Sequence, residues 1–306
     1  MRGTRDANSQ HPYDLFTTSS LLWPIFVGMQ TNVIRRKEMV VSLPERTSLS
    51  PAESVRAAPP RLSRQDLRAA QRGTLNEPRA RYGFVSRLLF GFINVVYGRG
   101  GSLLKFRVLE LLARVPYQIW ERAAYRAVTK RSRRTGVAQR IYRAMVESRA
   151  QQDNEQWHLF VLDEIIQRKD LRALWFRHRV LPRVLAGLYH PMCWLLFVVN
   201  PAASYRLNAS FEDHAEHEYM HYVAEHPELD NELFRSELHD VFGHVATIAD
   251  ILRQIGHDER VHKLDSLLEA DRQSSTRRGT EPVVHSRYVT SLPCIPCFPE
   301  TEVPPC

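Results

Sequence analysis

Glycine and cysteine are scarce in this chain, and each shortage excludes a class of structure. Only 13 of its 306 residues are glycine and four are cysteine, and most prolines lie toward the two ends. Three cysteines (Cys294, Cys297 and Cys306) fall in a proline-rich C-terminal stretch, where the single CIPC pair lacks the second pair of a zinc ribbon. We therefore expect neither a disulfide framework nor a structural zinc site. The uninterrupted middle of the chain predicts long helices.

Aromatic residues are not interleaved with the basic residues, although the chain is basic. Its net charge is +8 and its isoelectric point is about 9.5, which indicates an anionic partner. Proteins that bind single-stranded nucleic acid need stacking aromatics among their cations. The composition therefore favours an acidic membrane surface, and no nucleic-acid partner is expected.

Sustained helical periodicity is missing from both ends of the chain. Residues 1–80 are rich in Arg, Ser and Pro, and residues 273–306 are polar and then proline-rich. The first segment is interpreted as disordered, with a targeting segment as the alternative, and the second as a disordered tail. This leaves residues 81–272 as one helical domain.

No strand pattern is present between the two ends, and two stretches there are strongly apolar. The first, YGFVSRLLFGFINVVY, is too short to span a bilayer, and the second is RHRVLPRVLAGLYHPMCWLLFVVNPAASY. The second contains Arg183, His190 and two prolines in its apolar body, so we do not predict a transmembrane helix. We favour helices that lie on the membrane surface, with buried core helices as the alternative.

Two glutamate–histidine pairs recur at the same helical spacing. Glu155 and His158 lie in one apolar-flanked stretch, and Glu259 and His262 lie in another. Side chains at i and i+3 project from the same side of a helix, so each pair can converge on one point. Such groups are costly to bury unless they are paired or bind metal. A di-iron carboxylate site in a four-helix bundle uses two such pairs plus one glutamate from each of two further helices.

Two further glutamates fit that requirement. Glu110 is flanked by leucine on both sides. Glu212 shares a helix face with Ala215 and Tyr219, since the three lie within about 60° of one another around the axis. We predict that this face turns inward, and that a histidine stripe on the opposite face turns toward solvent or anionic headgroups. The histidine stripe consists of His214, His217 and His221.

Four motifs, in their order and separation, resemble those of one family. VLELLARVPYQIW, NEQWH, FEDHAEHEY and HDERVH look like the iron-ligand motifs of the alternative oxidases, with the plastid terminal oxidase branch as the closer match. The resemblance covers roughly residues 82–270. By this likeness, the ligands of two iron ions are Glu110, Glu155, His158, Glu212, Glu259 and His262.

The resemblance also implies roles for residues around the metals. Tyr219 matches a catalytic tyrosine, and Asp258 matches an acidic residue that orients a histidine ligand. Leu109 and Ala215 match positions that line a quinol pocket. One departure is Lys105, which stands where the family usually has arginine, so quinol positioning or the pairing with Asp258 is expected to differ.

The fold and function that follow are expectations. The fold is all-α, a ferritin-like four-helix bundle with additional short membrane-surface helices. The function is that of a membrane-bound quinol:oxygen oxidoreductase, which uses two iron ions to oxidise quinol and reduce O2 to water without pumping protons. We expect a homodimer on one leaflet of an organelle inner, thylakoid-type or bacterial inner membrane, with ubiquinol and plastoquinol both open as substrates. The alternatives are a di-iron quinone-ring hydroxylase and a non-catalytic helical membrane-surface protein.

Overall fold

The structure is a computed structural model, and it describes residues 61–237 and 247–278. These residues form seven α-helices and no β-strand, which confirms the predicted all-α class. The helices are α1 (Arg64–Asn76), α2 (Phe84–Tyr97), α3 (Leu103–Arg131), α4 (Thr135–Arg168), α5 (Leu181–Val199), α6 (Pro201–Glu225) and α7 (Ile248–Arg278). A π-helical turn (Phe176–Val180) leads into α5, and a 3-10 turn (Pro227–Asp230) follows α6.

Local capping explains where several helices begin and end. The Ser102 hydroxyl accepts a hydrogen bond from the Lys105 N–H and caps α3, and the Asn200 side chain caps α6 in the same way. Gly98 ends α2 with a φ of 95°, a conformation that glycine adopts without strain. These caps fix the starts of the two helices that each carry one predicted ligand glutamate.

Four long helices carry the predicted ligands, and they pack in a closed ring. α3 packs along α4 and α6 packs along α7, while α3 also contacts α6 and α4 contacts α7. The shared interior is apolar, because side chains such as Leu109, Leu112, Leu162, Ile165 and Leu252 are almost fully buried. The ferritin-like arrangement of these helices stays a prediction.

The N-terminal side of the bundle corrects the predicted boundary at residue 80. Residues 61–77, which we name the N-terminal strap, contain α1 and pack across α6 and α7. Leu67 and Thr74 are buried there, and Gln71 Nε2 donates to the Met220 carbonyl at 3.0 Å. The prediction missed α1 because polar side chains supply part of its buried face. At the other end, α7 continues past residue 272 to Arg278.

Helices α2 and α5 leave many apolar side chains exposed. The most exposed ones are Phe84, Leu88, Val95, Leu188, Leu195 and Val199. Tyr97 at the end of α2 donates to the Arg177 carbonyl at 2.7 Å, so α2 ends beside the start of the second apolar stretch. That stretch, Phe176–Val199, is long and apolar enough to cross a membrane, by length and composition alone.

Candidate metal centre

The bundle brings all six predicted ligands together in its interior. α3 contributes Glu110, α4 contributes Glu155 and His158, α6 contributes Glu212, and α7 contributes Glu259 and His262. Each of these side chains is at most 1% exposed. We name these six residues the open cluster. The two glutamate–histidine pairs therefore lie together with Glu110 and Glu212, as the sequence predicted.

The open cluster consists of two overlapping sets of four ligands. One set is Glu110, Glu155, His158 and Glu259, and the other is Glu155, Glu212, Glu259 and His262. In each set, one ligand atom from every residue lies within 4.8 Å of the others. Glu155 and Glu259 belong to both sets. The two ligand sets therefore have two carboxylates in common.

The histidine nitrogens lie close to the carboxylate oxygens. His158 Nδ1 is 3.3 Å from Glu110 Oε2 and 3.2 Å from Glu259 Oε1. His262 Nδ1 is 2.7 Å from Glu155 Oε1 and 3.7 Å from Glu259 Oε2. Both imidazoles therefore direct Nδ1 at the shared carboxylates.

Several polar atoms of the open cluster make no well-directed hydrogen bond among the described residues, although some of them approach one another as ion pairs. They include both carboxylate oxygens of Glu155 and Glu259, one oxygen each of Glu110 and Glu212, and Nδ1 of both histidines. An unpaired polar group costs about 1–3 kcal/mol to bury, and a charged group costs more. Metal ions would satisfy these atoms together, so the residues present fit a metal centre.

The protonation of the cluster follows from its crowding. Burial and the nearby Glu259 raise the pKa of Glu110 well above its usual value. Burial alone would lower the pKa of His262, but its contacts with Glu155 and Glu259 outweigh burial and raise that pKa to about 10. Without metal, a protonated imidazole therefore supplies the positive charge that the carboxylates require.

Comparisons with known proteins do not assign the chain to a family. A scan against models of protein families found no match, and a search of curated proteins found none either. The resemblance to the alternative oxidases stays a prediction from four motifs. By their positions alone, these buried glutamates and histidines lie close enough together to hold a metal ion.

Asp258 lies where the sequence analysis expected it, against a histidine ligand. Its Oδ2 is 3.1 Å from His158 Nε2. When the carboxylate accepts the Nε2 proton, Nδ1 is left free to ligate a metal. Asp258 thereby fixes both the ring orientation and the tautomer of His158.

Tyr219 also lies where it was expected. Its hydroxyl group donates a hydrogen bond to Glu110 Oε1, and its ring packs at a tilt against Phe106 with the centroids 4.2 Å apart. Burial and the Glu110 carboxylate raise the pKa of Tyr219 well above its usual value, so the phenol keeps its proton at neutral pH.

Sequence reasoning missed two residues that support the ligand Glu212. Tyr117 donates to Glu212 Oε1 at 2.8 Å, and Asn208 Nδ2 donates to the same oxygen at 2.9 Å. Tyr117 lies two helical turns after Glu110, and Asn208 lies one turn before Glu212. These spacings put both residues on ligand-bearing faces, and they were the signal that could have identified them.

The remaining predicted residues are buried near the cluster. Leu109 and Ala215 are each 1% exposed and belong to the bundle interior. Lys105 is fully buried, and its Nζ lies 2.8 Å from Glu218 Oε2 and 2.9 Å from Asn94 Oδ1. The ion pair of Lys105 is therefore with Glu218 and not with Asp258.

The predicted exposure of the histidine stripe is wrong for two of its three members. His214 is 3% exposed and His217 is 1% exposed, whereas His221 is exposed as expected. The ring of His214 stacks on Phe90 of α2 with the centroids 4.1 Å apart. His217 Nε2 lies 3.2 Å from the carbonyl of Glu77. The N-terminal strap and α2 thus cover a face that the helix pattern alone left open.

A second group of acidic residues near α6 has ligand-like geometry but is already paired. Asp213, Glu216 and His217 lie close enough to hold an ion. However, Lys263 Nζ lies 3.1 Å from Asp213 Oδ1 and 2.6 Å from Glu216 Oε2, and Arg260 Nε lies 2.7 Å from Glu216 Oε1. We name these five residues the closed cluster, because two cations occupy the place of a metal.

Proposed function

We propose that the chain is a membrane-bound di-iron quinol oxidase, which takes electrons from quinol and reduces O2 to water. The observation that carries the proposal is the open cluster, in which Glu155 and Glu259 are shared by two ligand sets. Four carboxylates and two imidazoles form a hard, anionic donor set, which suits two iron ions better than a soft metal.

Iron bound in this cluster would supply the redox chemistry that links quinol oxidation to O2 reduction. The protein residues do the rest. Asp258 holds the His158 ring, and Tyr117 and Asn208 hold the Glu212 carboxylate. The surrounding apolar bundle excludes water, so reactive oxygen species oxidise only the intended substrate.

Tyr219 is the residue proposed to act in the chemistry itself. Its phenol retains its proton because burial and Glu110 raise its pKa, and it already donates to a ligand carboxylate. With iron bound, a phenol in this position could supply a proton, or an electron together with a proton, to the reaction at the cluster. Quinol binding is proposed at the side of α3 and α6 that carries Leu109, Ala215 and Lys105.

The membrane surface is the proposed location, and the exposed faces of α2 and α5 support it. These faces carry bulky apolar side chains, including Phe84 at 74% and Leu188 at 68% exposure. A helix that presents such a face can lie in the headgroup region and meet quinol from within one leaflet. No charged relay is proposed across the bilayer, so no proton pumping is expected. A homodimer is part of the same proposal.

Reconstitution tests the function directly. Purified protein is loaded with Fe²⁺ without oxygen and placed in liposomes with ubiquinol or plastoquinol, and O2 uptake and products are measured. The oxidase gives two irons per chain, quinone, and uptake of one O2 for every two quinols. A hydroxylated quinone ring would indicate the hydroxylase instead. Absence of bound iron would indicate a non-catalytic membrane protein.

A further inference from the structure

A chain of hydrogen bonds connects the N-terminal strap to the open cluster. The Leu62 N–H donates to Gln254 Oε1 at 3.0 Å, and Gln254 Nε2 donates to Asp258 Oδ1 at 2.7 Å. Asp258 Oδ2 then lies 3.1 Å from His158 Nε2. Gln254 is only 2% exposed, so solvent does not compete for these bonds. The position of the Leu62 backbone is thereby connected to the orientation of the ligand His158.

The two partners of Gln254 determine which way its amide points. The Leu62 N–H can only donate, so it requires the amide oxygen, and the Asp258 carboxylate requires the amide nitrogen. One orientation satisfies both. Neither leucine nor glutamate can replace this side chain, because leucine bonds neither partner and glutamate offers no N–H to Asp258.

Gln254 acts on a different oxygen of Asp258 from the other neighbours. Asn154 Nδ2 at 3.5 Å and Arg61 Nη1 at 3.9 Å both approach Oδ2, the oxygen that also lies against His158. Gln254 instead holds Oδ1. Fixing the second oxygen stops the carboxylate from rotating away from the imidazole.

We propose that Gln254 is a positioning residue for the metal ligand His158, and that the N-terminal strap acts on metal affinity through it. The inference rests on the metal centre of the proposed function, but not on quinol as its substrate. A strap that leaves α7 removes the bond from Leu62, frees the Gln254 amide, and loosens the Asp258–His158 pair.

The first test replaces Gln254 and a matched buried glutamine. Gln71 is also buried, at 8% exposure, and it bonds the Met220 carbonyl and Arg253 but not Asp258. Fe²⁺ affinity is measured without oxygen by competition with a chromophoric chelator. Gln254→Leu is expected to weaken binding about tenfold, the lower end of the effect of outer ligand supports. Gln71→Leu keeps the Gln254 bonds to Leu62 and Asp258, so it is expected to lower thermal stability and to change affinity far less than Gln254→Leu does. Equal Fe²⁺ affinities in the two variants would overturn the proposal.

The second test removes only the backbone donor of the strap. Leu62→Pro deletes the N–H that bonds Gln254, and Leu62→Ala shortens the same side chain but keeps the N–H. Fe²⁺ affinity is expected to fall severalfold in the proline variant and to stay unchanged in the alanine variant. A proline variant with wild-type affinity would show that the strap does not act on the cluster.

The third test needs no metal and therefore separates this inference from the proposed function. In metal-free protein with ¹⁵N-labelled histidine, Gln254→Leu is expected to shift the ring resonances of His158, because its Nε2 proton loses a fixed acceptor. The ring resonances of His217, which lies against the Glu77 carbonyl of the strap, are expected to stay unchanged. Unchanged His158 resonances would refute the positioning role. A wild-type chain that binds iron but does not oxidise quinol would refute only the function.

Discussion

Two clusters of buried charged groups share helices α6 and α7, and they solve the same electrostatic problem differently. In the closed cluster, Lys263 and Arg260 neutralise Asp213 and Glu216 with direct ion pairs. In the open cluster, the ion pairs of the carboxylates are with two histidines, and many ligand atoms stay unpaired.

The difference teaches how to separate a metal site from a structural charge network. Both clusters satisfy the distance criterion for ligands. Buried carboxylates need a compensating charge, and an unpaired buried charge costs several kcal/mol, on the order of 3–5 when one partner of a pair is lost. The closed cluster carries its compensation in its own lysine and arginine. The open cluster has only two imidazoles to compensate four carboxylates, so a metal centre can supply the remaining positive charge.

The largest expected effect comes from removing one shared carboxylate. Glu155→Ala deletes a ligand from both sets, so bound iron should fall from two per chain to less than about one-tenth of that, and quinol-dependent O2 uptake should be lost. Metal-free Glu155→Ala should be less stable than the wild type, because His158 and His262 lose a carboxylate that pairs with their positive charge. Iron analysis, oxygen electrode traces and thermal denaturation in chelator measure the three quantities. Full oxidase activity in this variant would refute the site.

The matched change in the closed cluster should lower stability without any loss of iron. Lys263→Met leaves Asp213 and Glu216 partly unpaired, which costs about 3 kcal/mol of unfolding free energy. For a domain of this size, that loss lowers the melting temperature by about 10 °C. Iron content should stay at two per chain. A variant that loses iron while keeping its melting temperature would show that the two clusters are not independent.

The sequence predicted which residues form the open cluster because their spacing within each helix places them on one face. A glutamate and a histidine at i and i+3 face one point in any α-helix. Two such pairs in apolar stretches therefore limit the ways in which their helices can pack. The supporting residues Tyr117 and Asn208 follow the same spacing rule. The ferritin-like arrangement and the family resemblance rest on the motifs alone, which the geometry does not test.

The closed cluster could not be predicted because its burial depends on contacts between segments that are far apart in the sequence. The face of α6 that carries His214 and His217 is polar, so its pattern cannot show that another segment covers it. The N-terminal strap supplies that cover from more than a hundred residues away along the chain, through contacts such as Thr74 Oγ1 to Glu216 Oε1 at 2.6 Å. The pairing of Lys105 with Glu218 likewise depends on how α3 and α6 align.

A third expected effect concerns the phenol beside the open cluster. Tyr219→Phe removes the donor to Glu110 but no ligand, so iron content should be unchanged while the turnover of quinol slows about a hundredfold. Tyr117→Phe is the matched control, since its hydroxyl bonds the ligand Glu212 and has no proposed part in the chemistry. Equal turnover in the two variants would remove the special role of Tyr219.

The smallest expected effect is the pH dependence of stability, in which the two clusters have opposite signs. Burial alone would raise the pKa of Glu216, but Lys263 and Arg260 outweigh it and hold that pKa below the usual value. Its contribution to stability is therefore complete above about pH 4.3, the unfolded pKa, and is lost as the pH falls further. Burial and Glu259 raise the pKa of Glu110, so its contribution is lost as the pH rises above the same value.

Neutral substitutions isolate these two contributions in metal-free protein. Glu216→Gln removes the acid-sensitive ion pairs, so its free energy of unfolding should fall less steeply than that of the wild type between pH 5 and 3. Glu110→Gln removes a group that gains stability on protonation, so its free energy should fall more steeply over the same range. Urea unfolding at several pH values, in chelator, measures both slopes. If both variants shift the slope in one direction, the open and closed clusters do not differ in charge compensation, and the argument that only one of them awaits a metal fails.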